Sequence, residues 1–125
     1  MKLRLKGNSL RMRVTRSDLQ KLREDGRIEE TTWLGPEENA RLTYVLEHNA
    51  HISRAALRFD LPAITVAIPV AEFERWVASA QVGVYATIDQ GPRGSLEIII
   101  EKDFACMHGS DAENLDAFPN PHAAG

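Results

Sequence analysis

Residues 2–6 (KLRLK) alternate strictly between charged and aliphatic side chains. That period of two predicts a strand with Leu3 and Leu5 on one face. Gly7-Asn8-Ser9 is a turn cluster, and residues 10–14 (LRMRV) alternate again, with Leu10, Met12 and Val14 inward and Arg11 and Arg13 outward. The two runs predict a hairpin. Thr15 or Ser17 then caps a helix of about nine residues carrying Leu19 and Leu22, which Asp25-Gly26 stops. Residues 28–33 and 41–47 predict two further strands around the loop Gly35-Pro36-Glu37-Glu38-Asn39. The same grammar follows once more: strands over 56–60 and 64–68 separated by Leu61-Pro62, a helix from Glu72 to Ala78 after Pro69, and strands over 82–88 and 95–102 around a turn-rich loop.

The two passages superpose without a gap at an offset of 54 residues. Leu3 and Leu5 fall on Leu57 and Phe59, and Leu10, Met12 and Val14 fall on Ile64, Val66 and Ile68. Leu19 and Leu22 fall on Phe73 and Trp76, Ile28 on Val82, and Tyr44 and Leu46 on Ile98 and Ile100. A one-residue slip inverts every strand face, so agreement across four strands and a helix predicts a tandem ββαββ duplication. Neither unit buries its apolar face easily alone, so the two are expected to pack as one pseudo-twofold domain over residues 1–108, with repeats 1–54 and 55–108. The expected fold is mainly β (α+β): a compact barrel or sandwich of about eight mostly antiparallel strands with two short helices. Leu3, Leu5, Leu10, Met12, Val14, Leu57, Phe59, Ile64, Val66, Ile68, Ile98 and Ile100 are its expected core.

With 125 residues, 43% of them hydrophobic and 26% charged, the chain has the size and composition of one globular domain. Its apolar runs fall far short of the ~20 residues of a membrane span, and its first residues do not read as a signal peptide, so no membrane partner is expected. A single Cys excludes an internal disulfide and suits a cytoplasmic setting.

Charge is unevenly placed. Residues 1–27 carry nine Lys/Arg and three acids, and the remaining residues carry six and fifteen. A basic end is a footprint for an anionic partner. It is equally the pattern of basic strands paired with acidic ones in one sheet, with Arg11 and Arg13 set against Glu29, Glu47 or Glu101. Glu97 and Glu101 share a strand face; with Arg4, Arg11 and Arg13 they form either an anion-gripping face or an external ladder of ion pairs.

Residues 109–125 hold three acids, no Lys or Arg, and several Gly, Pro and Ala. Such an acidic, Pro-containing tail does not fund its own folding entropy and is expected either to engage a protein partner through Phe118, Pro119 and Pro121 or to strap back onto the domain. Cys106 and His108 place two metal-ligand types close together, a weak signal for Zn or Cu. Neither a phosphate loop nor a catalytic serine or dinucleotide motif is present, so a non-enzymatic binding or interaction module without a cofactor is expected.

Lys6-Gly7-Asn8-Ser9 followed by an alternating strand and a short helix, with Ile68-Pro69 before the second helix and a final strand at Leu96–Glu101, resembles the AbrB/MazE type of swapped-hairpin regulators and antitoxins. Each half resembles one subunit of that fold. The resemblance implies DNA contact through Lys6, Asn8 and Arg13, with Arg4 and Arg11 as basic neighbours. Physically, cations on a two-stranded ribbon suit a major groove. The second half departs from the pattern: Gly7-Asn8-Ser9 corresponds to Leu61-Pro62-Ala63, and Lys6 to Asp60. Tight duplex binding by one basic hairpin would therefore need another subunit. The whole chain also resembles a small bacterial family of unknown function, through Lys-Gly-Asn-Ser at 6–9, Glu-Lys-Asp-Phe-Ala-Cys at 101–106 and Phe-Pro-Asn-Pro at 118–121.

Overall fold

The computed structural model describes residues 1–104 and 116–119. Strands β1 (Lys2–Lys6) and β2 (Ser9–Val14) form the first hairpin, turning through Gly7 at φ 54°. Of the two turn residues only Gly7 takes the left-handed conformation, which glycine adopts without steric cost. Helix α1 (Arg16–Asp25) opens with a capping box: the Thr15 hydroxyl accepts from the Asp18 N–H, and the Asp18 carboxylate accepts from the Thr15 N–H. Gly26, at φ 77°, closes the helix by donating its N–H to the Leu22 carbonyl. Then follow β3 (Arg27–Trp33), β4 (Arg41–Asn49), β5 (Ala56–Asp60), β6 (Ala63–Pro69), α2 (Val70–Ala78), β7 (Gly83–Asp89) and β8 (Ser95–Lys102). Helix α2 starts directly after Pro69, two residues before the expected Glu72.

The eight strands make two four-stranded sheets, ordered β1-β2-β8-β7 and β3-β4-β6-β5, in a sandwich-like arrangement with the two helices. Each sheet thus joins one hairpin from the first half of the chain to one from the second. The hairpins are antiparallel, but the central pairings that unite them, β2 with β8 and β4 with β6, are parallel. In the first sheet Leu10 faces Ile98 and Met12 faces Ile100; in the second, Tyr44 faces Ile64 and Leu46 faces Val66. These registers differ by 54 on every strand. The β7·β8 hairpin is the exception: Val84, not Val82, faces Ile100 as Ile28 faces Leu46. A register shift of two residues along β7 leaves Val82 half-exposed and buries Val84.

The core is built by Leu10, Met12, Val14, Leu22, Leu46, Val66, Ile68, Phe73, Trp76, Val84, Ile98 and Ile100. Leu3 and Leu57 pack against it from the edge strands. Leu5 and Phe59, expected in the core, are exposed instead. They occupy matching positions on edge strands β1 and β5, near the hairpin tips, where the alternation continues but the cover over the inner face does not.

Candidate binding surfaces

The outward side chains of the first sheet form three rungs. Lys6, Ser9, Glu97 and Thr87 make one; Arg4, Arg11, Ile99 and Tyr85 the next; Lys2, Arg13, Glu101 and Gly83 the third. Like charges therefore stand directly opposite in two places, Arg4 against Arg11 and Lys2 against Arg13, an arrangement that destabilises a strand pair. Carboxylates from the far end of the chain relieve part of it. Arg11 forms an ion pair with Glu101 at 2.6 Å, Lys2 reaches Asp103 at 3.1 Å, and Arg13 lies 3.9 Å from Asp103, itself buried. Arg4 and Lys6 meet no carboxylate among the described residues. With Ser9, Arg11 and Ile99 they line a shallow hollow of about 180 Å³. The equivalent hairpin in the second sheet carries one outward cation, Arg58, held by Glu47 at 2.9 Å.

Asn8 sits apart from the cations. Its side-chain amide donates to the Ser95 carbonyl and, at 3.4 Å, to Gln90, which ties the β1–β2 turn to the β7–β8 loop. The structure thus brings Arg4, Lys6 and Arg11 together, turns Arg13 toward Asp103, and gives Asn8 a structural partner.

Glu101 is held from two sides, by Arg11 and by the Tyr85 hydroxyl, which donates to it at 2.7 Å. Burial, then the hydrogen bond and charge of Glu101, push the Tyr85 phenol up to about 12, with Arg11 opposing. In the unfolded chain the phenol ionises near its ordinary value of 10, so between about 10 and 12 the unfolded state has lost a proton that the folded state keeps. The Tyr85 contribution to stability is therefore complete below pH 10 and is lost as the pH rises toward 12. In a Tyr44→Phe background, Glu101→Gln is expected to move the phenolate absorbance titration part of the way back toward pH 10; an unchanged midpoint would show that Glu101 contributes nothing beyond burial.

A second candidate surface lies at one end of the other sheet, around the end of β3 and the end of β5 with the turn that follows it. Trp33, Leu34, Phe59 and Leu61 are 58% to 74% exposed. The Thr43 N–H donates to the Pro62 carbonyl, so the β5–β6 turn lies beside the start of β4. There Arg41 covers the Trp33 ring at 5.7 Å. The four apolar residues share one end of the sheet, Trp33 in phase with Thr31 on the outer face and Phe59 opposite Ile64 on the inner one, and exposed large apolar groups mark candidate contact sites. These exposed groups were missed in the sequence, although Trp33-Leu34 beside Gly35-Pro36, and Leu61 in a turn, are apolar groups where turn chemistry favours polar ones.

Phe118 packs against the core, edge-to-face with Phe104 at 6.3 Å and beneath the Lys102 ammonium at 5.5 Å. Its N–H donates to the Asp103 carbonyl, and Asp116 accepts from the Ser17 N–H at the start of α1. Pro119 is exposed. Pro121, Cys106 and His108 lie outside the described residues. Lys102 is buried, donates to the Ser79 carbonyl at 2.8 Å, and burial holds its ammonium pKa below the usual lysine value. In the other half the matching position is His48, stacked on Phe73 at 4.5 Å with a buried Nε2 that finds no partner among the described residues. Among the described residues no three His, Cys, Asp or Glu side chains gather as a metal site, and no helix is long and apolar enough to cross a membrane.

The fold and its surfaces define a small α+β sandwich whose two sheets each combine hairpins from both halves of one chain. The chain belongs to a family of unknown function (DUF7009), whose model matches residues 1–122. No curated protein and no solved structure matches it.

Proposed function

We propose that this chain is a non-enzymatic interaction module of a bacterial cytoplasmic protein, and that its partner is another protein held at the apolar end of the second sheet. The observation that carries the reading is the exposure of Trp33, Leu34, Phe59 and Leu61 at one end of the second sheet. Exposed aromatic and aliphatic anchors of this kind supply most of the energy of protein interfaces. Because Phe118 is seated on the core, the reading uses the sandwich surface rather than the tail as the primary contact.

The test is affinity capture after crosslinking, comparing the wild-type chain with Trp33→Glu/Leu61→Glu. Both residues are exposed, so the variant is expected to keep its melting temperature. A protein retained by the wild type and lost by the variant supports the reading. Equal retention by both would overturn it.

A second reading is a DNA-binding regulator of the AbrB/MazE type. The basic outward face around Arg4, Lys6, Arg11 and Arg13 favours it, as does a strand order in which hairpins are exchanged between halves. On that reading the chain is a fused pair of the subunits it resembles, descended from a ββαββ duplication. Retention on heparin that falls with salt and vanishes in Arg11→Glu/Arg13→Glu would support it. A thiol or metal site at Cys106 and His108 is tested by metal analysis of wild type against Cys106→Ser.

A further inference from the structure

We propose that the open edge of β1 is a docking site for an extended acidic segment of a partner protein, taken up as a fifth strand of the first sheet. Three independent features of that edge fit one occupant.

The first is backbone. The sheet ends at β1, which pairs only with β2 among the described residues. Its outward N–H and C=O groups form a template for another strand. The second is charge. Lysine on an edge strand is a common guard against aggregation. Here the guard is exceeded: Arg4 faces Arg11 and Lys2 faces Arg13, and Arg4 and Lys6 meet no carboxylate among the described residues. Carboxylates at alternate positions of an added strand would lie beside Lys2, Arg4 and Lys6 and remove the repulsion. The third is apolar. Leu5 is 58% exposed on the opposite face of the same strand. An apolar residue between two acids of the added strand would cover it.

A nucleic acid would answer only the second feature, since phosphates have no use for the backbone edge or for Leu5. The matching edge, β5, offers Arg58 already held by Glu47 and an acid at Asp60, so the match to an acidic strand is confined to β1. The site is separate from the apolar sheet end proposed above and does not depend on it.

The probe is a fluorescein-labelled peptide in which Glu or Asp alternates with Leu or Val over seven residues, titrated into the full chain and read by anisotropy. A second peptide has the same composition with its acids grouped at one end, and a single-stranded oligonucleotide of similar charge serves as comparator. The alternating peptide is expected to bind and to slow exchange of the β1 amides that face away from β2. Grouping the acids, or introducing Arg4→Glu/Lys6→Glu, is expected to weaken binding about tenfold or more. Both side chains are exposed, and a circular dichroism melt checks that this variant stays folded. Trp33→Glu/Leu61→Glu is expected to bind the peptide as the wild type does, which separates this site from the other surface. Equal binding of the two peptides, unchanged exchange along β1, or tighter binding of the oligonucleotide would each overturn the proposal.

Discussion

Cut once in the 50–55 connection, the chain is expected to stay folded. Both sheets are built from both halves: β2 meets β8 over six residue pairs and β4 meets β6 over seven, with residues 50–55 as the link between the halves. Arg54 is exposed there, so trypsin has a natural point of entry. Fragments 1–52 and 53–125 made separately lose every parallel pairing, and each exposes the apolar faces of two hairpins with little to cover them. Each is expected to lack a cooperative melt alone, and the mixture to give a one-to-one complex with the circular dichroism of the intact chain. A cooperative transition in either isolated fragment, equal in midpoint to that of the intact chain, would show that the halves are independent domains.

Trp76→Ala is expected to remove about 3–5 kcal/mol, the usual cost of deleting a buried aromatic. That is a large part of the 5–15 kcal/mol typical of a whole domain. Trp76 is fully buried, lies edge-on to Phe73 at 6.4 Å, and donates its indole N–H to the Val82 carbonyl at 3.0 Å. The milder Trp76→Phe keeps most of the ring volume. The Val82 carbonyl also accepts from the Lys102 N–H, so it is not orphaned when the indole goes, and the hydrogen-bond part of the loss is expected near 1 kcal/mol. Urea unfolding followed by circular dichroism measures both, since each substitution removes the buried tryptophan. If Trp76→Ala shifted the midpoint no more than Trp76→Phe does, the packing argument would fail.

Which positions form strands, and which face each side chain takes, was readable because alternation carries that information directly. A helix cap at Thr15 or Ser17 and the stop at Gly26 were readable for the same local reason, while the choice of Thr15 and its capping box with Asp18 came from the structure. Neighbourhood was not. Alternation says nothing of which strand lies alongside, so the parallel contacts β2·β8 and β4·β6 had no signature in the pattern. The misplacement of Val82 has a related cause: a one-residue slip flips a strand, but a two-residue slip preserves every face, so Val82 and Val84 were indistinguishable by phase. Leu5 and Phe59 failed as core residues because burial depends on the layer above, which ends before the hairpin tips do. Among the basic residues, the sequence identified the cluster but could not sort it. Glu101, which neutralises Arg11, stands 90 residues away along the chain, and only the fold separates the satisfied cations from Arg4 and Lys6.

Carrying both halves on one chain has a consequence for stoichiometry. In an assembly of two identical subunits related by a twofold axis, every contact site occurs twice, and each ligand is bound in pairs. Here the β1–β2 and β5–β6 hairpins hold corresponding places in the strand order yet carry different side chains, cationic on one and mostly uncharged or apolar on the other. On the readings proposed above, each chain would therefore be univalent at each surface, with one copy of each at a fixed mutual orientation, and a saturated complex would contain one partner of each kind per chain.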